Sequence, residues 1–113
     1  MAHIYDRVAL IGLGLIASSM FWAMKRKGLA GEVTGFARSA ETRHIAREIG
    51  LCDVVYDDIR EAVRGADLVV LCVPVGAMGA VAADIRDHVS PGAVISDVGS
   101  SKASVLAALT EAL

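Results

Sequence analysis

Arg7-Val-Ala-Leu-Ile-Gly-Leu-Gly-Leu-Ile-Ala17 is the stretch that decides the fold. A short apolar run, Val8 to Ile11, passes directly into Gly12-x-Gly14-x-x-Ala17, and helix-forming residues follow to about Lys27. Strand, glycine turn and helix in that order form the dinucleotide-binding fingerprint, here with alanine in its third position. Each small residue has a separate job. Gly12 lets the chain turn tightly off the strand, Gly14 lets the backbone approach a pyrophosphate, and Ala17 keeps the helix close to the sheet. The first turn of the helix, with Leu15, Ile16 and Ala17, then offers unpaired N–H groups and the positive end of its dipole to phosphate.

Outward from this turn, strands and helices alternate to the end of the chain. Lys25-Arg26-Lys27 followed by Gly28 closes the first helix, with cations in the last turn and glycine just beyond it. Val33–Ala37 reads as the second strand. Ser39 caps a second helix that carries Ile45 and Ile49 one turn apart and stops at Gly50. Val54–Tyr56 gives a short third strand, and Asp58-Ile-Arg-Glu61 reads as a capping box before a helix that ends at Gly65. Val69–Val73 is a wholly apolar and therefore central strand, closed by Pro74. A helix from about Ala77 to Asp87 leads to the Ser90-Pro-Gly92 turn and a fifth strand, Ala93–Ser96. Ser100 or Ser101 caps a last helix with Val105, Leu109 and Leu113 on one face. This alternation predicts an α/β fold with a doubly wound parallel sheet of the Rossmann type, strand order 3-2-1-4-5. Residues 1–113 form one dinucleotide-binding domain, expected to be truncated from a longer two-domain protein because a sixth strand is lacking.

Composition narrows the partners. Hydrophobic residues make up 55% of the 113, above the roughly 45–50% of an average globular domain, as a sheet covered on both faces requires. A net charge of −2 without a basic tract argues against nucleic acid. No apolar run is long enough to span a membrane and no signal peptide opens the chain, so the expectation is a cytoplasmic protein. Cys52 and Cys72 stand in no metal or redox spacing and read as small hydrophobes, and no metal site is expected. His3, His44 and His88 all lie away from the carboxyl rim of the sheet and are poor candidates for a general base.

The end of the second strand chooses the nucleotide. An NAD-preferring site places Asp or Glu there, on the ribose diol. This chain has Ala37, then Arg38 and Ser39, with Arg43 one helical turn on. A 2′-phosphate meets no like charge here and can pair with Arg38 and bond to Ser39, which favours NADP while leaving NAD possible. A solvated arginine beside a helix cap is the other reading. Val73-Pro74-Val75-Gly76 lies on the same rim and either walls the cofactor or makes a plain strand-to-helix turn. After the fifth strand comes Asp97-Val-Gly99-Ser100-Ser101-Lys102, where Gly99 would face the cofactor. From spacing alone Ser100 is as readily a helix cap as a functional group.

Taken together, Gly12-Leu-Gly-Leu-Ile-Ala-Ser-Ser19, Val73-Pro-Val75 and Ser96-Asp-Val-Gly-Ser-Ser-Lys102 resemble the nucleotide-binding domain of the prephenate and arogenate dehydrogenases, which carry GLGLIGGS, VPV and TDVGSVK in the same order. Ala17, Ser18 and Ser101 depart from that pattern. The resemblance implies an oxidoreductase of tyrosine biosynthesis that oxidatively decarboxylates prephenate or arogenate with hydride transfer to NADP or NAD. It also implies that Ser100 bonds near the substrate hydroxyl and orients a catalytic histidine lying beyond Leu113. Substrate-binding arginines and a helical domain that makes a homodimer would lie downstream too, so this chain alone is expected to bind nucleotide without turning over substrate. Another NADP-linked two-domain reductase, or a module that only senses NADP, are the competing readings.

Overall fold

The computed structural model describes residues 4–73 and 75–97. Five parallel strands, β1 (Tyr5–Ile11), β2 (Ala30–Phe36), β3 (Val54–Val55), β4 (Leu68–Leu71) and β5 (Val94–Asp97), form one sheet in the order β3-β2-β1-β4-β5. Four helices connect them: α1 (Leu15–Lys27), α2 (Ala40–Ile49), α3 (Ile59–Val63) and α4 (Val75–Ile85). Order and direction agree with the sequence reading, and so do the two ends of α1 and the cap of α2. The expected last helix lies outside the described residues.

Where the boundaries differ, pairing explains the difference. β2 starts at Ala30, ahead of the expected Val33, because Ala30 and Glu32 pair with Tyr5 and Arg7. Ala-Gly-Glu has little β-propensity of its own, and the neighbouring strand imposes the conformation. β4 stops at Leu71, where its register with Ile11 and with Asp97 ends, two residues short of the expected Val73. α4 correspondingly begins and ends two residues earlier than the sequence suggested.

The sheet separates two cores. On one face α1 buries Met20, Phe21 and Met24 against Val8, Leu10, Val33 and Val70. On the other, α3 and α4 bury Ala62, Val63, Val81 and Ile85 against Ala9, Ile11, Val69 and Leu71. Alternate residues of β1 therefore serve opposite cores, and both faces of the strand must be apolar. Thr34 is the one buried polar residue among those described. Its hydroxyl donates to the Ala62 carbonyl at 2.7 Å, so that α3's last turn is tied to β2 and the hydroxyl itself is paired.

Helix ends follow their sequence signals. Gly28 and Gly50 take the left-handed conformation that closes α1 and α2, and Ser39 Oγ accepts from the Thr42 N–H. At α3 the Asp58 carboxylate caps as expected but accepts from the Arg60 N–H at 2.9 Å, not from the Glu61 N–H that a capping box uses. The helix ends at Val63, ahead of Gly65. Ile45 and Ile49, which share a face as expected, point to solvent at 48% and 58% exposure, while Ala46 is the residue of α2 that packs inward. Among the described residues, no helix is long and apolar enough to cross a membrane.

Candidate functional site

The three central strands end together and are stitched at their carboxyl ends. Gly12 N–H donates to the Phe36 carbonyl and Cys72 N–H to the Ile11 carbonyl, both at 2.7 Å. This joins β2, β1 and β4 into a floor. Gly12 lies in it with φ +96°, and a Cβ there would come 2.5 Å from the Cys72 carbonyl oxygen. The fold itself demands glycine at this position. Gly14 is different. Its φ is −102°, a value open to any residue, and an added Cβ would meet nothing within 4 Å. No packing among the described residues explains a glycine at 14; the open space in front of it suits an incoming ligand.

Gly14 also opens α1, without any side-chain cap and with no acidic residue in the first turn. The first helical bond runs from Ser18 N–H to the Gly14 carbonyl. The N–H groups of Leu15, Ile16 and Ala17 have no acceptor within the helix, and they add to the dipole's positive end. Ala17 is fully buried against the sheet, in the close-packing role expected of it.

A cleft of about 560 Å³ rises from this floor. Gly12, Leu13 and Gly14 form its base, Ala37, Arg38, Ser39 and Thr42 one side, and Cys72, Val73, Ala77, Val81 and Asp84 the other, with Phe36 and Ile59 between. Of the residues singled out in the sequence, the structure brings Gly12, Gly14, Arg38, Ser39 and Val73 together here. Leu15 and Ile16 lie outside the lining, with side chains turned to solvent, and only their backbone amides bear on the site. Pro74, Gly99 and Ser100 lie outside the described residues, as does the side chain of Val75.

Arg38 and Arg43 have different employment. Arg38 is exposed on the rim, and its guanidinium has no hydrogen bond or ion pair among the described residues. Arg43 is not part of the lining. Its Nη1 donates to the carbonyls of Ala37 at 2.6 Å and Arg38 at 3.0 Å, and its Nε to Asp57 at 3.0 Å. The guanidinium also lies over the Phe36 ring, 5.7 Å from its centroid. Asp57 accepts a second bond from Arg47 at 2.9 Å, and these two arginines hold its carboxyl below the usual carboxylate range. Arg43 thus pins the backbone that carries Arg38, and its guanidinium is engaged by those carbonyls and by Asp57, which it shares with Arg47.

Sequence reasoning missed Thr42, Ile59, Val81 and Asp84. Thr42 had a signal, three residues after the Ser39 cap and so on the turn that faces back over it. Ile59 and Val81 carry none that separates a cleft wall from core. Cys72 lines the cleft as an apolar wall: burial pushes its thiol up to about 12. Cys52 is raised equally, by burial first and then by the neighbouring Asp53 charge. Among the described residues, no grouping of His, Cys, Asp and Glu could hold a metal ion.

The sequence profile of the prephenate dehydrogenase nucleotide-binding domain matches residues 21–113. The chain belongs to the prephenate dehydrogenase family. Within that family it is similar to the cyclohexadienyl dehydrogenase of Zymomonas mobilis, 44% identical over 110 residues that make up 97% of this chain and 38% of that enzyme. The glycine turn, ahead of the profile match, falls within the span that this second likeness covers. Among solved structures, arogenate dehydrogenase of Synechocystis superposes with a TM-score of 0.75 at 26% identity, over 94% of this chain and 37% of that one. Prephenate dehydrogenase of A. aeolicus, solved with hydroxyphenyl propionate and NAD+, shares the fold with a TM-score of 0.76 at 24% identity, over 96% of this chain and 38% of that one. The chain thus spans little more than a third of the length of these relatives.

Proposed function

We propose that this chain is the cofactor domain of a dehydrogenase that oxidatively decarboxylates prephenate or arogenate, with NADP preferred over NAD. In that reaction the ring carbon bearing the hydroxyl gives up a hydride as the hydroxyl passes its proton to a base. The ring carboxylate leaves as CO2 with its bonding electrons entering the ring, and the oxygen takes a proton back. The ring becomes aromatic, as 4-hydroxyphenylpyruvate or tyrosine. A bound nicotinamide supplies the hydride acceptor. The chain's own residues bind and orient: Gly14 and the first amides of α1 receive the pyrophosphate, Val73 walls the ribose side, and Arg38 with Ser39 takes the 2′-phosphate. Pro74, Val75 and Gly99 are proposed to complete the wall, and Ser100, three residues past β5, to position the substrate hydroxyl.

The observation that carries the proposal is that, among the described residues, the space at Gly14 is unfilled and Arg38 on the cleft's side is unpartnered, where β2 ends without a carboxylate. Titration of the chain with NADP and then NAD by calorimetry, at matched salt, tests it. NADP is expected to bind more tightly. Arg38→Ala is expected to weaken NADP by about 1–3 kcal/mol, the worth of a charge-assisted hydrogen bond, and to leave NAD nearly unchanged. Equal losses for both would show that Arg38 does not read the 2′-phosphate.

A further inference from the structure

Among the described residues, two charged side chains line the cleft, Arg38 and Asp84. A cation facing a polyphosphate ligand is expected. An anion is not, because it repels the ligand's phosphates across a cleft that water only partly screens. Asp84 is also poorly placed for the helix that carries it. It lies one residue before the end of α4, where the dipole's negative end disfavours a carboxylate. α4 has no basic residue in its last turn, and Asp84 has no hydrogen bond or ion pair among the described residues. Neither helix stability nor a salt bridge accounts for it.

The surroundings suggest what does. Val81 stands one turn before Asp84 on the same face of α4, and Ile59 and Phe36 continue that wall at the partly open rim of the second core. Such an apolar slot suits a flat, uncharged ring. Sheet order sets the two charges apart, since Arg38 follows β2 and Asp84 belongs to the helix after β4, on opposite sides of β1. A carboxylate at the end of an apolar slot can only accept, so it selects a ring edge that donates. A nicotinamide dinucleotide has four sets of donors. Its adenine-side ribose lies with the 2′-phosphate at Arg38, its nicotinamide-side ribose and carboxamide belong to the far end of the cofactor beyond the pyrophosphate, and the 6-amino group of adenine remains.

We infer that Asp84 reads the amino edge of the purine, making the slot formed by Phe36, Ile59 and Val81 selective for a 6-amino over a 6-oxo base. This rests on the nucleotide-binding reading above and adds a specificity-determining residue to it. A 6-oxo base would turn a lone pair toward the carboxylate where the amino group donates, and its one donor on that edge, N1–H, is displaced from that position, so the analogue is disfavoured by repulsion and by a lost bond.

The test is to titrate the chain, and its Asp84→Ala and Asp84→Asn variants, with NADP and with the hypoxanthine analogue of NADP by calorimetry. Asp84 is exposed, so neither substitution opens a cavity. The unaltered chain should prefer NADP by about tenfold, as a hydrogen bond to a charged group allows. In Asp84→Ala the preference should fall below about twofold, partly through a gain for the analogue. Asn can present its amide N–H to a 6-oxo group, so Asp84→Asn should bind the analogue at least as well as NADP. An unchanged preference in both variants overturns the role of Asp84 and leaves the nucleotide site standing. Failure of the unaltered chain to bind NADP and NAD at all overturns the nucleotide reading, and this inference with it.

Discussion

A methyl group added at Gly12 and one added at Gly14 meet opposite surroundings, and this separates folding from binding within three residues. At Gly12 it collides with a backbone carbonyl and holds a non-glycine residue at positive φ, so Gly12→Ala is expected to cost at least about 3 kcal/mol in denaturant unfolding. At Gly14 it meets open space, and Gly14→Ala should change stability by no more than about 1 kcal/mol. The same variant should lose at least about tenfold in nucleotide affinity, since the methyl occupies the approach of the pyrophosphate. Undiminished binding by Gly14→Ala would sink the proposed phosphate site. The two thiols make a second prediction at this scale. Burial raises Cys52 and Cys72 from 9.0 to about 12, so the folded state favours their protonated form. Their contribution to stability is complete below about pH 9 and is lost between 9 and 12, as the unfolded chain releases its protons first. The denaturant midpoint should therefore fall as pH rises above 9, and less steeply in a Cys52→Ala, Cys72→Ala double variant. Identical slopes would count against the assignment.

Among the elements, the turn from β2 into α2 is braced by Arg43, which sequence reading groups with Arg38 as a cofactor-binding residue. Arg43 follows Arg38 by about one helical turn, and from spacing alone both can reach a phosphate. The structure gives Arg43 to the Ala37 and Arg38 carbonyls and to Asp57. As a positioning residue it should affect both cofactors. Arg43→Ala is expected to weaken NADP and NAD alike, by about 1–2 kcal/mol, whereas Arg38→Ala acts on NADP. A loss confined to NADP in Arg43→Ala would return it to the phosphate site. The contrast shows what was legible. Glycine spacing, helix caps and the alternation of apolar runs are local signals, and they gave α1, α2 and the strand order. The partners of Arg43, the start of β2 at Ala30 and the cleft face of Val81 are set by other segments. No local pattern encodes those.

For the molecule as a whole, the sheet divides labour between its faces. The core under α1 reaches the cleft only at its floor and one edge, through Leu13, Ala37 and Cys72, while the core under α3 and α4 supplies the apolar wall of Phe36, Ile59, Val73 and Val81. Met24→Ala and Ile85→Ala each remove a buried side chain and should each cost about 2–5 kcal/mol. Ile85→Ala should also lower nucleotide affinity severalfold, because α4 is the element it anchors. Met24→Ala, near the far end of α1, should not. Equal effects on binding would mean that the faces are more tightly coupled than their separate cores suggest.

The two glycines of the turn would also leave different traces in descent. If descent preserved this chain for folding alone, Gly14 would drift to other residues without penalty and Gly12 would persist. Retention of Gly14 across lineages would then record every generation in which a ligand had to fit, and its loss would mark the point where one no longer did.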